Sequence, residues 1–416
     1  EPVYDRAALE RRIAMRLERA RPGALADNTP PPGAEITWCA KCCYPTISAV
    51  PIEFDEVGVC TGCQQAKIKR AIPKTEWKRR KTVLRGILED YRSWDGTRHD
   101  CVIAVSGGKD SWFQVHTLKN ELGMNPLLVT YDANNWTPAG WRNLLRMKEV
   151  FSCDHIVYSP STEVLTKLNR LGFIVLGDMN WHAHIGIETI PPRIAVQNRI
   201  PLVIWGEHGY LDTGGQFAMD DYPEMSYRDR LEHPGRGYEW TFFQGRDDLK
   251  ASDLIPWMYP SDNEIMDVGL RGIYLGNYIF WEANTHTELM IKRFGFETSD
   301  EPFDRTYRRI SNLDDMHENG LHDYLKFIKF GYGRGTDHVS KDIRNGSLNR
   351  SQGLELIRRY DHVKSSDIRR WLDYVGMSED EFDRIADTFR DSRVWWRENG
   401  DWRRHELKDS NDPPLP

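Results

Sequence analysis

The sequence contains no run of about 18 apolar residues, so no segment is built to cross a membrane as a helix. Basic residues are in the minority: 56 Lys and Arg stand against 63 Asp and Glu, for a formal net charge of −7. Neither half is strongly basic, so long polyanions such as DNA or tRNA are poorly matched partners. No signal-peptide pattern opens the chain, and a cytoplasmic protein is expected. Cysteine is scarce, with seven in 416 residues. The most prominent glycine turn is neither Gly-x-x-x-x-Gly-Lys-Ser/Thr nor Gly-x-Gly-x-x-Gly, which excludes the usual nucleotide-hydrolase loop and the dinucleotide fingerprint.

That turn lies in Cys101-Val-Ile-Ala-Val-Ser106-Gly107-Gly108-Lys109-Asp110-Ser111. Val102 to Val105 read as a buried parallel strand. A helix is predicted from Ser111, with Phe113, Val115 and Leu118 facing the core. Strand, glycine turn and helix start together make an anion site, because glycines let backbone N–H groups approach a phosphate and the helix dipole favours negative charge.

Four of the cysteines fall as Cys39-x2-Cys42 and Cys60-x2-Cys63. In a reducing compartment this spacing predicts tetrahedral Zn2+ rather than disulfides, with a redox dithiol or an iron–sulfur site as the alternatives. Ile52 to Val59 reads as a hairpin before the second pair, so residues 36–64 form a zinc ribbon. Before it, residues 1–35 carry a helical stripe of Leu9, Ile13 and Leu17 and a Pro-rich linker. After it, residues 65–98 read as a basic helical connection.

Residues 99–300 alternate strands and helices. Strands are predicted at Asn125–Tyr131, His155–Tyr158 and Pro201–Trp205, with Thr137 capping a helix that begins at Pro138. This pattern implies an α/β fold, a doubly wound parallel sheet with right-handed crossovers. If the chain runs outward through the first three strands, the fourth must return beside the first. Glu207 would then face the Ser106–Ser111 turn across the crevice, as a contact for magnesium or substrate. His182 and His184, one residue apart, could share one side of an extended segment, but no third metal ligand is evident near them. Loops in 212–300 are expected to build the acceptor site. Residues 301–416 read as helical, and Lys329, Arg334, Lys341, Arg344 and Arg350 beside glycine-rich breaks suit a phosphate-rich ligand.

The Ser106–Ser111 turn closely resembles the pyrophosphate-binding loop of the ATP pyrophosphatase (PP-loop) superfamily. The resemblance implies that sheet type, ATP and Mg2+ as cofactors, and cleavage of ATP between its α- and β-phosphates. In that superfamily the end of the second strand lies beside adenine, which implies nucleotide contact for Tyr131 and Asp132. An ordinary capping role for Asp132 competes with this. The cysteine module, Leu202-Val-Ile-Trp-Gly-Glu207, Lys329-Phe-Gly-Tyr-Gly-Arg334, Asp342-Ile-Arg-Asn-Gly346 and Asn349-Arg350 narrow the likeness. Together they resemble the bacterial N-acetyl sugar amidotransferases of lipopolysaccharide O-antigen and nonulosonic-acid biosynthesis. That family implies conversion of an acetamido sugar, carried as a nucleotide sugar, into an acetamidino sugar. Lys109, Asp110 and Glu207 would be catalytic, and Ser106, Gly107, Gly108, Lys109, Asp110, Ser111, Lys329 and Arg344 would bind the cofactor. It also implies a separate glutamine amidotransferase that supplies ammonia. A tRNA-thiolating enzyme is the alternative, since several of those combine cysteine pairs with the same turn.

Overall fold

The computed structural model describes residues 6–29, 36–50, 52–207, 222–232, 234–310, 316–405 and 407. Its centre is a five-stranded parallel sheet of order β3-β2-β1-β4-β5. The strands are β1 (Cys101–Ala104), β2 (Pro126–Tyr131), β3 (Asp154–Tyr158), β4 (Leu202–Trp205) and β5 (Arg271–Tyr274). β1 pairs with β2 from Cys101↔Pro126 to Ala104↔Val129, and on its other side with β4 through Val102↔Val203 and Ile103↔Ile204. The strand order therefore reverses between β1 and β4, as the alternation of strands and helices requires. β5 is an addition, falling within the 212–300 stretch where the sequence predicts loops.

Helices cover both faces. On one side, α4 (Lys109–Val115) and α5 (Pro138–Phe151) bury Trp112, Phe113, Leu144 and Met147 with Ile103, Leu128 and Ile204. On the other, α6 (Thr162–Leu176) and α7 (Trp181–Gln197) pack Leu165, Trp181 and Ile190 against Val102, Val129 and Val203. Alternate residues of a strand point to opposite faces, which is why these strands read as continuous apolar runs. Thr137 caps α5 by accepting a hydrogen bond from Gly140 N, with Pro138 at the first helical position. The N-terminal helix α1 (Arg6–Arg19) places Leu9 and Ile13 in the α6–α7 core and leaves Leu17 exposed, and α2 (Thr61–Ala71) and α3 (Lys74–Tyr91) precede β1 in the chain.

The C-terminal third holds helices Glu318–Phe330, Arg334–Asn345, Arg350–Tyr360, Ile368–Val375 and Glu379–Asp387, then the antiparallel pair β6 (Trp395–Glu398) and β7 (Asp401–Arg404). The cysteine module docks on this region: Tyr44 and the cysteines pack with Tyr332, Val339, Ile343 and Leu354. Two tyrosines tie them further, Tyr44 Oη lying 3.2 Å from Tyr332 Oη. Among the described residues, no helix is long and apolar enough to cross a membrane.

The approach of α7 to the sheet depends on Gly186, where a Cβ would lie 2.3 Å from the Tyr131 ring. Gly186→Ala must push the helix or the ring aside, at a cost of ~1–3 kcal/mol. Denaturant unfolding should show the midpoint falling; an unchanged midpoint would mean that α7 and Tyr131 separate freely.

Candidate functional site

A cavity of about 670 Å³ opens beyond the carboxyl ends of β1 and β4. Several parts of the chain wall it. The turn after β1 supplies Ser106, Gly108, Lys109, Asp110 and Ser111, and Glu207 follows β4. Lys326, Lys329, Arg334 and Lys341 come from the C-terminal helices, and Tyr44, Ala49 and Val50 from the cysteine module.

The turn is tightly organised. Ser111 Oγ accepts from Ser106 N at 2.9 Å, and Ser106 Oγ accepts from Gly108 N at 3.3 Å. Gly107 has φ +81°, and a Cβ there would lie 2.8 Å from Leu144 Cα, so only glycine fits against α5. Lys109 is buried and its Nζ lies 2.5 Å from Asp110 Oδ2, while Trp281 Nε1 donates to Asp110 Oδ1 at 3.3 Å. A carboxylate and an ammonium are thus fixed side by side at the start of α4. Glu207 lies 3.7 Å from Lys69 Nζ.

The residues expected around a nucleotide separate into two groups. Tyr131 lines the cavity, and its hydroxyl lies 3.0 Å from His182 Nδ1. Asp132 instead organises its own loop: its carboxylate accepts from Asn134 N at 2.8 Å, Trp136 Nε1 at 2.6 Å and Ser159 Oγ at 2.7 Å. Lys329 lines the cavity, and burial, helped by the Arg236 charge and opposed by Asp178, lowers its pKa to about 7. Arg344 is not with them. Its Nη2 sits 3.6 Å from both Cys42 Sγ and Cys60 Sγ, because the 334–345 helix turns this side toward the cysteine module. Much of the basic set is already neutralised: Arg334 pairs with Asp323 at 2.7 Å, and Lys326 pairs with Asp337. His208 and the loops at 212–215 and 220–221 lie outside the described residues.

His182 and His184 stand on α7, not on an extended segment, so one residue of separation turns them to different sides of the helix. His182 is a core group. Asn169 Nδ2 donates to its Nε2 at 2.9 Å, leaving Nδ1–H to donate to Tyr131. Burial lowers its pKa to about 3 and keeps it neutral.

Cys39, Cys42, Cys60 and Cys63 converge and are buried. Their sulfurs lie 3.9 Å apart for Cys39–Cys63 and 3.6 Å for Cys42–Cys60. Four thiolates on a tetrahedral Zn2+ at ~2.3 Å stand ~3.8 Å apart, so the set fits a zinc ion. Cys39 Sγ also accepts from Lys41 N, Cys42 N and Cys60 N at 3.3–3.4 Å, as expected when a sulfur carries negative charge. Four thiolates on one divalent ion leave a net charge of −2, which the Arg344 guanidinium partly offsets. The second pair opens helix α2 (Thr61–Ala71), whose start brings Cys60 and Cys63 to the same point.

Residues 285–408 match the family model described as LPS biosynthesis protein WbpG-like, C-terminal domain. That stretch includes the helices that close the cavity and carry Arg344. The match supports a lipopolysaccharide-biosynthesis family and a role in making surface polysaccharide. No curated protein matches the chain.

Arg344→Met should weaken Zn2+ retention ~10- to 100-fold by removing the charge beside two sulfurs. Competition with a chromogenic chelator measures this, and unchanged retention would show that the guanidinium does not support the metal.

Proposed function

We propose that this chain is an ATP-dependent sugar amidotransferase that turns the acetamido group of an N-acetylated, nucleotide-linked sugar into an acetamidino group for surface-polysaccharide synthesis. The observation that carries the reading is the single cavity walled by the Ser106–Ser111 turn, by Glu207, and by the C-terminal helices that match the polysaccharide family. Its volume of about 670 Å³ lies within the ~300–1,000 Å³ of ordinary ligand pockets.

The chemistry follows from an amide's weakness as an electrophile. Its oxygen attacks the α-phosphorus of ATP, and the α–β phosphoanhydride bond breaks to release pyrophosphate. The product is an imidate bearing AMP on oxygen. Ammonia adds to that carbon, AMP departs with the former amide oxygen, and an amidine remains. Backbone N–H groups at Gly107 and Gly108, the hydroxyls of Ser106 and Ser111, and the Lys109 ammonium would hold the departing pyrophosphate. Asp110 and Glu207 would hold Mg2+, which would spread the developing charge. An arriving phosphate would draw Lys109 away from Asp110, freeing that carboxylate for the metal. Zn2+ in the cysteine cluster would be structural.

Ammonia is proposed to come from a separate glutaminase. A nucleophilic cysteine needs access and a lowered pKa. Cys101 is fully buried in β1, where burial pushes its thiol up, and burial raises Cys153 to about 11. Neither lines the cavity, which also counts against the thiolating alternative, whose reactive cysteines should lie near the nucleotide.

With ATP, ammonium and an N-acetylated nucleotide sugar, the products should be AMP, pyrophosphate and an acetamidino sugar, read by mass spectrometry. ADP and phosphate as the main products would overturn the reading. Lys109→Met should keep the fold and lower kcat/KM by ~10²–10³.

Glutamine offered in place of ammonium should give no product with the isolated chain. Release of glutamate by the chain alone would instead point to a cysteine nucleophile within it.

A further inference from the structure

A second group of metal-binding side chains converges away from the cysteine cluster. Asp178 follows Gly177, the left-handed cap of α6; His184 lies in the first turn of α7; His322 belongs to the helix Glu318–Phe330. One donor atom from each lies within 4.8 Å of the others. His322 Nε2 is 3.6 Å from Asp178 Oδ1, and His184 Nδ1 is 3.8 Å from Asp178 Oδ2. The two rings meet edge to face with centroids 5.4 Å apart.

These separations are too long for hydrogen bonds. They approach the ~3.3 Å spacing of nitrogen and oxygen donors on a tetrahedral ion bound at ~2.0–2.1 Å. The surroundings also hold the donors in place. Asp178 Oδ1 accepts from Asn180 N at 3.0 Å, and Arg236 Nη2 lies 3.1 Å from Oδ2. His322 Nδ1 is buried without a hydrogen-bond partner and faces Asp323 Oδ1 at 3.8 Å. Both ring nitrogens of His322 thus face a carboxylate while a neutral ring carries one proton, and with that proton on Nδ1 the Nε2 lone pair points at Asp178. A lone pair facing an ionised carboxylate is unfavourable unless a cation lies between them. Asp323 itself is fixed by Arg305 Nε at 2.8 Å and Arg334 Nη2 at 2.7 Å.

Two imidazoles and one carboxylate disfavour Mg2+ and Ca2+, which take oxygen ligands, and suit first-row transition metals. We propose that Asp178, His184 and His322 bind one such ion, of the Zn2+ class, with its remaining coordination position open on the side of His322, which lines the cavity. The ion would be a second metal, independent of the cysteine cluster. If the amidotransfer reading holds, it would act as a Lewis acid toward an oxygen of the bound acceptor. That role rests on the reading; metal binding does not.

The test is metal titration of the full chain after chelator stripping, with Co2+ as a spectroscopic probe and Zn2+ counted by elemental analysis. Two equivalents should bind. One should show the thiolate-to-cobalt charge-transfer band, and the other should add ligand-field absorption without it. The double variant His184→Ala/His322→Ala should lose only the second equivalent, and Cys39→Ser should lose the thiolate signal. Saturation of the wild-type chain at one equivalent with the thiolate spectrum alone would overturn the proposal, however the variants fold. So would a second equivalent that survives in the double histidine variant. Because no step of this test measures ATP cleavage, its failure and the failure of the amidotransfer reading are separate results.

Discussion

The pairing of β4 with β1 is the constraint on which the rest of the molecule depends. Parallel strands must be joined by crossovers, and crossovers of one hand carry the chain outward from β1 through β2 to β3. A fourth strand continuing outward would leave one edge of β1 open. Returning to the other side of β1 pairs both edges and separates two connections that leave the sheet at the same end. The gap between those connections is the cavity. The glycine turn and Glu207 meet there because each directly follows one of the two strands. Ligand sites at strand-order reversals arise from this geometry before any particular side chain is chosen.

A crevice at the strand ends of a sheet needs a further wall to exclude water, and here distant parts of the chain provide it. Asp323 is fully buried yet ionised, held by Arg305 and Arg334 against the cost of burial. Removing either arginine would leave uncompensated charge in the interior, so these groups fix how the 318–330 and 334–345 helices sit. The second helix in turn carries Arg344 to the cysteine cluster. The module near the N-terminus, the C-terminal helices and the sheet thus share one set of electrostatic and aromatic contacts around one cavity.

Much of the sheet was legible because its signals are local. Val102 to Val105, Leu127 to Tyr131 and Leu202 to Trp205 are apolar runs closed by turn residues, and the Thr137-Pro138 cap lies within a few residues of the groups it satisfies. The paired cysteines were legible for the same reason, since each pair spans a single turn. β5 escaped because Arg271–Tyr274 is short and contains Gly272, whose lack of a side chain admits Met225. The histidines escaped for a different reason. Helical and extended geometry give opposite answers for residues two apart, and His182 and His184 diverge only because the segment is helical. Asp178 and His322, 144 positions apart in the chain, meet through packing that no local pattern records.

The same distinction governs the basic residues of the C-terminal third. In sequence they form one cluster, and a cluster of cations beside glycine breaks reads as a phosphate site. In three dimensions their charges have different destinations. Arg334 and Lys326 serve buried carboxylates, and Arg344 faces sulfur. Lys329 is buried near the Arg236 charge, and burial holds its pKa near neutrality. An ammonium of that kind loses its proton far more readily than one in water, so its contribution to an anion's binding must itself vary with pH. On the opposite wall, Lys109 keeps Asp110 at 2.5 Å. The positive potential at the turn is therefore stored in an ion pair, and becomes available to a phosphate only as the carboxylate finds another cation. Charge counting along the chain sees the lysine and the aspartate cancel. The site's electrostatics lie in how readily that pair exchanges partners.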